Sequence, residues 1–164
     1  MLRGGRRLMA ISTRFETEFV ERLASIFEEH ISFNRLLGLR IEALEPDVVS
    51  GAIEMRPELI GHYTHQRLHG GVISAMLDAM GGLAVMAAIG ARHLDEPVEA
   101  RIARFGKLGT IDLRVDYLRP AIGPRFSAVA RVLRLGSRVA STRMEFFDAH
   151  GKLLAGGAAA YIVS

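Results

Sequence analysis

The sequence predicts an α+β fold in which a long central helix is wrapped by a curved antiparallel sheet of about six strands, with an extra N-terminal helix. Residues 70–89 carry only two polar side chains, Ser74 and Asp78, so a helix formed here must be buried on every side. Two strand patterns precede this stretch, and four follow it with mostly short turns between them. Strands segregated from helices in this way are typical of an α+β protein with a mainly antiparallel sheet.

Length and composition predict one domain with a hydrophobic core. The chain has 164 residues, of which 49% are apolar and 24% are charged, and both fractions are ordinary for a globular domain. We expect residues 13–164 to form this domain and residues 1–12 to be a flexible basic tail containing Arg3, Arg6 and Arg7. The net charge of +3 falls to zero without these three arginines, so we expect no nucleic acid partner.

The absence of cysteine excludes disulfides and fits a reducing compartment. The residues before Glu16 lack the apolar run of a secretory signal, so we expect a cytoplasmic location. The most apolar stretch, residues 70–90, is interrupted by Asp78 and by glycines, whereas a membrane-spanning helix needs about 20 mostly apolar residues. We therefore expect this helix to be buried in protein, with no membrane span.

The elements before the central helix are predicted from periodicity and turn residues. Residues 13–31 should form an amphipathic helix, because apolar side chains recur there at spacings of three and four: Phe15, Phe19, Leu23, Ile26 and Phe27. Residues 33–38 have the pattern of a turn that stops at Gly38. Two strands are expected over residues 39–43 and 48–55, since Glu45, Pro46 and Asp47 between them favour a hairpin turn.

Two segments flank the central helix, and the first of them fits neither the helical nor the strand period well. Residues 58–69 contain three histidines and are predicted to be a loop, and residues 91–109 are predicted to be a long, charged connection.

Four strands are then expected over residues 110–118, 126–135, 138–147 and 153–163. The first alternates cleanly, with Thr110 on one face and these apolar residues on the other: Ile111, Leu113, Val115 and Tyr117.

Asp78 is the first candidate for chemistry. A carboxylate in an otherwise apolar helix is costly to bury without partners, so its presence needs a reason. One reason is a role as general base or nucleophile at the edge of a pocket. The alternative is a structural aspartate that is paired with an arginine or caps a loop.

His69, Gly70 and Gly71 begin the central helix and are the second candidate. A helix N-terminus offers free backbone N–H groups and partial positive charge, and glycines let a substrate atom approach closely. This is the chemistry of an oxyanion hole, although a glycine-rich helix entry without a ligand has the same pattern. Asp78 lies about 12 Å from Gly70 along one helix, so both groups reach one carbonyl only from two different subunits.

The segment LHGGVISAMLDAMGGLAV, residues 68–85, resembles the signature of hotdog-fold acyl-CoA thioesterases of the phenylacetate-degradation (PaaI-like) type. TIDLRVDYLRPA, residues 110–121, resembles the strand and turn that follow in that family, and the closing strands resemble its last hairpin. The resemblance covers residues 33–163 and implies a hotdog fold, in which a curved antiparallel sheet wraps a long helix. It also implies homodimers, or homotetramers built as dimers of dimers, with active sites between subunits.

The resemblance assigns roles to the residues of the first motif. Asp78 matches the catalytic acid, Gly70 the glycine whose N–H faces the thioester carbonyl, and His69 the histidine that shapes the turn, while Gly71 lies beside them as a substrate-binding candidate. Many members have an asparagine about six residues before His-Gly-Gly, and this chain has none there. His62 and Tyr63 are the candidates to replace it in substrate binding.

Three residues outside that motif are further substrate-binding candidates. Thr110 stands where members of the family often place a hydroxyl group near the reacting atoms. Arg119 and Arg138 could bind the phosphates of coenzyme A, because a guanidinium binds phosphate through two hydrogen bonds. For each arginine, a solvated charged surface is the alternative. The histidines at positions 62, 65 and 69 are close in sequence, but we expect no metal site.

The sequence therefore predicts an acyl-CoA thioesterase that hydrolyses an acyl- or aryl-CoA thioester to the carboxylic acid and free coenzyme A. No metal or redox cofactor is expected, because the substrate carries its own leaving group. The alternative is a non-catalytic hotdog module that binds acyl-CoA or a fatty acyl group, in which an acid at Asp78 would have no purpose. A hydratase of the same fold is disfavoured because no histidine occurs within fourteen positions after Asp78.

Overall fold

The computed structural model describes residues 14–164, so the predicted tail at residues 1–12 lies outside the described part. The helices are α1 (Thr17–Ser25), α2 (Ser32–Leu37), α3 (Gly70–Arg92) and α4 (Val98–Ala103). The strands are β1 (Arg40–Leu44), β2 (Val49–Glu54), β3 (Ile60–His62), β4 (Arg67–Leu68), β5 (Gly109–Tyr117), β6 (Arg125–Leu135), β7 (Val139–Asp148) and β8 (Leu153–Ile162).

Six strands form one antiparallel sheet in the order β1-β2-β6-β7-β8-β5, so β1 and β5 are its edges. The tight turn between β6 and β7 closes where the N–H of Gly136 donates to the carbonyl of Val139 at 2.9 Å. Helix α3 packs on this sheet and contacts five of its strands: β6, β7, β5, β2 and β8. The predicted α+β architecture with a wrapped central helix is confirmed.

Helix α3 is the centre of the core. Its buried side chains include Leu83, Val85, Met86 and Ala87, each 0% exposed, and they point in several directions around the helix axis. By length and composition alone α3 would qualify as a membrane-spanning helix, but most of its surface is buried inside the protein. Its apolar composition is therefore explained by the sheet on one side and the N-terminal segments on the other.

Residues 17–37, which we call the N-terminal layer, cover the side of α3 that the sheet leaves open. The helix predicted over residues 13–31 is present from Thr17 to His30, where α1 passes directly into a π-helical turn at Ile26–His30. The turn predicted over residues 33–38 is wrong: this segment is α2, and it buries Asn34 and Leu37, three residues apart on one face. Gly38 ends α2 in the left-handed conformation, with φ of 73°. The predicted glycine stop is therefore present, but it ends a helix.

The charged connection predicted over residues 91–109 contains α4, which docks through Arg101. This side chain is 0% exposed, donates to Glu16 at 2.5 Å, and lies 4.7 Å above the ring of Phe19. The hydrogen bond from Arg101 lowers the pKa of Glu16. The pair therefore stabilises the fold above the usual pKa of glutamate, and this contribution is lost as acid protonates Glu16.

Close packing between α1 and α3 depends on Gly90. A Cβ added there would overlap the ring of Phe19, and its distance to Cε1 would be 2.8 Å. We expect Gly90→Ala to lower the free energy of unfolding by about 1–3 kcal/mol through overpacking, measured by denaturant unfolding. Gly106→Ala is the matched control, since nothing lies within 4 Å of a Cβ at Gly106. Equal stability of the two variants would contradict the packing argument.

The segment predicted as a loop over residues 58–69 contains the small β3–β4 hairpin. Its ends are held because Leu59 and Leu68 are buried, the N–H of His69 donates to the carbonyl of Leu59, and the N–H of Leu68 donates to the carbonyl of Ala121. The loop prediction is therefore wrong in part, since these two leucines pack on the core. The hairpin delivers the chain to the start of α3 in a defined position.

Strand β5 contains a bulge that the alternating sequence does not reveal. Its pairing with β8 shifts between Thr110 and Asp112, so Ile111 is an extra residue, and it is 54% exposed. An extra residue reverses the side to which the preceding side chains point. Thr110 therefore shares the core side with Leu113 and reaches α3 at Asp78, which corrects its predicted assignment to the opposite face.

Candidate active site

A cavity of about 280 Å³ lies between the N-terminal layer, the middle of α3 and the start of β5. Its walls are mostly apolar or small, and four polar residues interrupt them. The apolar and small members are Phe27, Ile31, Phe33, Ala75, Ala79, Gly82, Phe105, Leu108 and Gly109, and the polar members are Asn34, Asp78, Thr110 and Tyr161.

Asp78 is half-buried at this cavity, and one of its two carboxylate oxygens is held by hydroxyl groups. Oδ1 accepts a hydrogen bond from Thr110 at 2.9 Å and lies 3.2 Å from the hydroxyl of Tyr161. Oδ2 accepts no hydrogen bond from any residue of the described chain. One oxygen thus anchors the carboxylate, and the other is available to a molecule in the cavity.

Tyr161 is buried in β8, and its hydroxyl also donates to the backbone carbonyl of Asp78 at 2.9 Å. Burial, together with the charge of Asp78, raises the pKa of Tyr161 far above its usual value, so the phenol keeps its proton and remains a donor. Gly81 makes room for this contact, because a Cβ at that position would overlap the hydroxyl.

The N-terminus of α3 is formed by the second predicted motif, His69-Gly70-Gly71. The imidazole Nδ1 of His69 accepts from the N–H of Gly71 at 2.8 Å, so His69 caps the helix. The N–H of Gly70 has no partner among residues 14–164, and its carbonyl accepts from Tyr117 at 2.9 Å. Gly70 therefore presents the one N–H in this short motif that a substrate oxygen could use.

Within one chain, Asp78 and the His69-Gly70-Gly71 motif do not line the same cavity. None of the residues from His69 to Gly71 lines the cavity that contains Asp78. Asp78 lies eight positions after Gly70 in α3, which corresponds to about 12 Å along the helix axis.

The other predicted substrate-binding residues lie on the surface. His62 stacks on His65 with 4.8 Å between ring centroids and is 2.9 Å from the hydroxyl of Thr64, while Tyr63 is 80% exposed. Neither His62 nor Tyr63 lines the cavity at Asp78.

Arg119 and Arg138 lie at opposite ends of β8 and form no joint cluster. The backbone N–H of Arg119 donates to the carbonyl of Leu154, and the carbonyl of Arg138 accepts from the N–H of Val163. Leu154 and Val163 are nine positions apart in extended chain, which corresponds to roughly 30 Å. The guanidinium of Arg119 donates to the carbonyl of Leu153 at 2.8 Å, whereas the exposed Arg138 is a turn residue.

Residues 65–155 match the Thioesterase superfamily. This chain belongs to the thioesterase superfamily. It is 37% identical over 141 residues to the medium/long-chain acyl-CoA thioesterase YigI of Escherichia coli (strain K12), covering 86% of this chain and 91% of YigI. The predicted hotdog-thioesterase resemblance is confirmed.

Solved structures of related proteins support the fold of this thioesterase. A Shewanella oneidensis protein related to the thioesterase superfamily is 44% identical, with a TM-score of 0.85 over 90% of this chain and 96% of that chain. A mutant of the phenylacetic acid degradation protein PaaI from Thermus thermophilus is 26% identical, with a TM-score of 0.64 over 81% of this chain and 99% of that chain.

Sequence reasoning missed Tyr161 and Asn34 at the cavity of this thioesterase. Tyr161 follows a run of glycine and alanine in β8, and such a run signals close approach of a strand to the helix it covers. Asn34 lies in the segment FNRLLG, which was predicted to be a turn, so its side chain was not expected to be buried.

Removing the hydroxyl in Tyr161→Phe should lower kcat for thioester hydrolysis roughly tenfold, because Asp78 loses a hydrogen bond of the kind made to charged groups. KM should stay near the wild-type value, since the phenyl ring still fills its place. Steady-state kinetics on folded protein, with folding checked by thermal unfolding, measures this. An unchanged kcat would show that Thr110 alone orients the carboxylate.

Proposed function

We propose that this thioesterase hydrolyses medium- to long-chain acyl-CoA to the carboxylic acid and free coenzyme A. The observation that carries the proposal is Asp78, whose free Oδ2 belongs to a largely apolar cavity while Oδ1 is held by Thr110 and Tyr161. The acyl chain would occupy the apolar part of this cavity. The medium/long-chain acyl-CoA thioesterase named above supports the substrate class.

In the proposed reaction, Oδ2 of Asp78 takes a proton from a water molecule as the water oxygen attacks the thioester carbon. The carbonyl oxygen becomes an oxyanion and accepts a hydrogen bond from the N–H of Gly70. Collapse of this intermediate breaks the C–S bond, and the departing coenzyme A sulfur takes up the proton that Asp78 accepted from the water, which restores the carboxylate. The chemistry needs no metal or redox cofactor, because the carboxylate activates the water and the thiolate is a good leaving group.

We further propose that each active site combines Asp78 of one subunit with Gly70 of its partner in a homodimer. The roughly 12 Å between these residues along α3 supports this arrangement, since one carbonyl carbon cannot lie against both within one chain. His69 would hold the helix entry in shape by capping α3, and Gly71 makes room for this cap, because a Cβ there would lie 2.9 Å from Nδ1 of His69. Pairing of dimers into tetramers and the cytoplasmic location remain predictions.

The activity is tested by coenzyme A release over a panel of thioesters, from acetyl to palmitoyl and including phenylacetyl. We expect kcat/KM to be highest for medium and long chains, because the walls beside Asp78 are mostly apolar. If no thioester is cleaved but acyl-CoA still raises the melting temperature, the protein is a binding module and the proposal is wrong.

The two-subunit site is tested by mixing Asp78→Asn with Gly70→Pro and allowing the subunits to exchange. Each mixed dimer has one site that carries both changes and one that carries neither. Equal mixing should restore about one quarter of wild-type activity from two nearly inactive proteins, because half of the dimers are mixed. If activity stays at the level of the parents although mixed dimers are detected, both groups act within one chain.

A further inference from the structure

Asn34 is a largely buried residue whose side-chain amide has no hydrogen-bond partner in the described part of the chain. Its residue is 5% exposed, it lines the cavity that contains Asp78, and its carboxamide makes no hydrogen bond to any residue in the described range 14–164. The hydroxyl groups of Thr110 and Tyr161 both engage Asp78. Among the described residues, the fully enclosed side-chain nitrogen and oxygen atoms without a partner do not include those of Asn34, so its amide is accessible from the cavity and available to a ligand that enters it.

The chemistry of the site limits what this ligand is. A carboxamide offers one acceptor oxygen and two N–H donors, and the hydrocarbon of an acyl chain supplies neither a donor nor an acceptor. A water molecule that attacks a carbonyl must direct a lone pair at carbon, so its two hydrogens need two acceptors on the other side. Oδ2 of Asp78 supplies one acceptor, and the carboxamide oxygen of Asn34 is an uncommitted acceptor in the same cavity.

We propose that Asn34 is a water-positioning residue of the hydrolytic site. Its carboxamide oxygen accepts one hydrogen of the attacking water while the other proton passes to Asp78, the water oxygen bonds to the thioester carbon, and the C–S bond breaks. This inference rests on the proposed thioester hydrolysis. Asn34 lies outside residues 65–155, which match the family, so the N-terminal layer supplies this group.

The local structure holds Asn34 at the cavity. The π-helical turn before α2 closes where the N–H of Ile31 donates to the carbonyl of Ile26 at 3.0 Å. After α2, the left-handed Gly38 ends the helix, and Leu37 is buried in the core. A short helix anchored at both ends places the amide with little freedom, which positioning of water requires.

The test compares Asn34→Leu, which is close in size but apolar, with Asn34→Ala and with the control Arg35→Gln on the exposed face of α2. We expect both Asn34 variants to lower kcat by roughly ten- to a hundredfold. The factor should be the same for every acyl chain in the panel, and KM should stay near the wild-type value. Arg35→Gln should match the wild type. Melting temperatures separate folded variants from misfolded ones, and the alanine variant serves if leucine prevents folding.

Three results would overturn the role of Asn34. One is an unchanged kcat in both folded variants, and another is an effect confined to KM or to particular acyl chains, which would make Asn34 a chain-binding residue. The third comes from a single wild-type turnover in ¹⁸O-water: a first acid product without ¹⁸O would mean that Asp78 itself attacks. Failure of the proposed function looks different, because the wild type would then release no coenzyme A.

Discussion

Replacing Asp78 by asparagine is expected to lower kcat for acyl-CoA hydrolysis by about 10²–10⁴-fold, the range for loss of a general base. The change is nearly isosteric, so the remaining oxygen can still accept hydrogen bonds from Thr110 and Tyr161. The free oxygen becomes an amide nitrogen, which cannot take a proton from water. KM should change little, because the apolar walls that hold the acyl chain are unaltered.

The matched control is Asp95→Asn, which makes the same chemical change at an exposed position in the connection after α3. Steady-state coenzyme A release and thermal unfolding of both variants measure the outcome. If Asp78→Asn keeps a kcat within a few-fold of the wild type, Asp78 is structural and anchors the hydroxyl groups around it.

Replacing Gly70 by proline is expected to lower kcat by about 10²–10³-fold, the cost of losing one oxyanion donor. Proline removes the N–H but is tolerated at the first position of a helix, and Gly70 is that position in α3. The preceding His69 has φ of −66° and ψ of 135°, an extended conformation that a following proline favours. The substitution is therefore aimed at one hydrogen-bond donor.

Gly70→Ala is the control for bulk, because it adds a Cβ and retains the N–H. That Cβ would lie 3.3 Å from the ring of Tyr117, which is 55% exposed and can move. We expect Gly70→Ala to keep most of its activity in the same coenzyme A release assay. Equal losses in the alanine and proline variants would mean that space beside Tyr117, and not the N–H, limits the reaction.

The regular elements around α3 could be predicted because their patterns are local. An apolar helix with two polar side chains predicts its own burial, and turn residues such as Glu45, Pro46 and Asp47 mark the hairpin of β1 and β2 without knowledge of the rest of the chain. The prediction failed over residues 33–38 and 91–109. There, helix formation depends on burial of Leu37 in the core and on contacts of Arg101 with Glu16 and Phe19, which the local sequence does not show.

The residues of the candidate site also differ in whether the local sequence predicts them. His69, Gly70 and Asp78 were found from sequence because a helix N-terminus and a lone acid in an apolar helix are unusual by themselves. Tyr161 lies 83 positions from Asp78 and meets it only because β8 packs on α3 at Gly81. Asn34 reaches the cavity only because the N-terminal layer folds over the open side of α3.

The sequence by itself thus determined the fold class, the central helix and the two motifs on it, since each follows from residues adjacent in the chain. Only the tertiary structure decided which side chains surround the carboxylate. The bulge at Ile111 turns Thr110 toward Asp78, whereas strict alternation places it on the other face. Contacts between residues far apart in the chain depend on register and packing, and neither is encoded in any single segment.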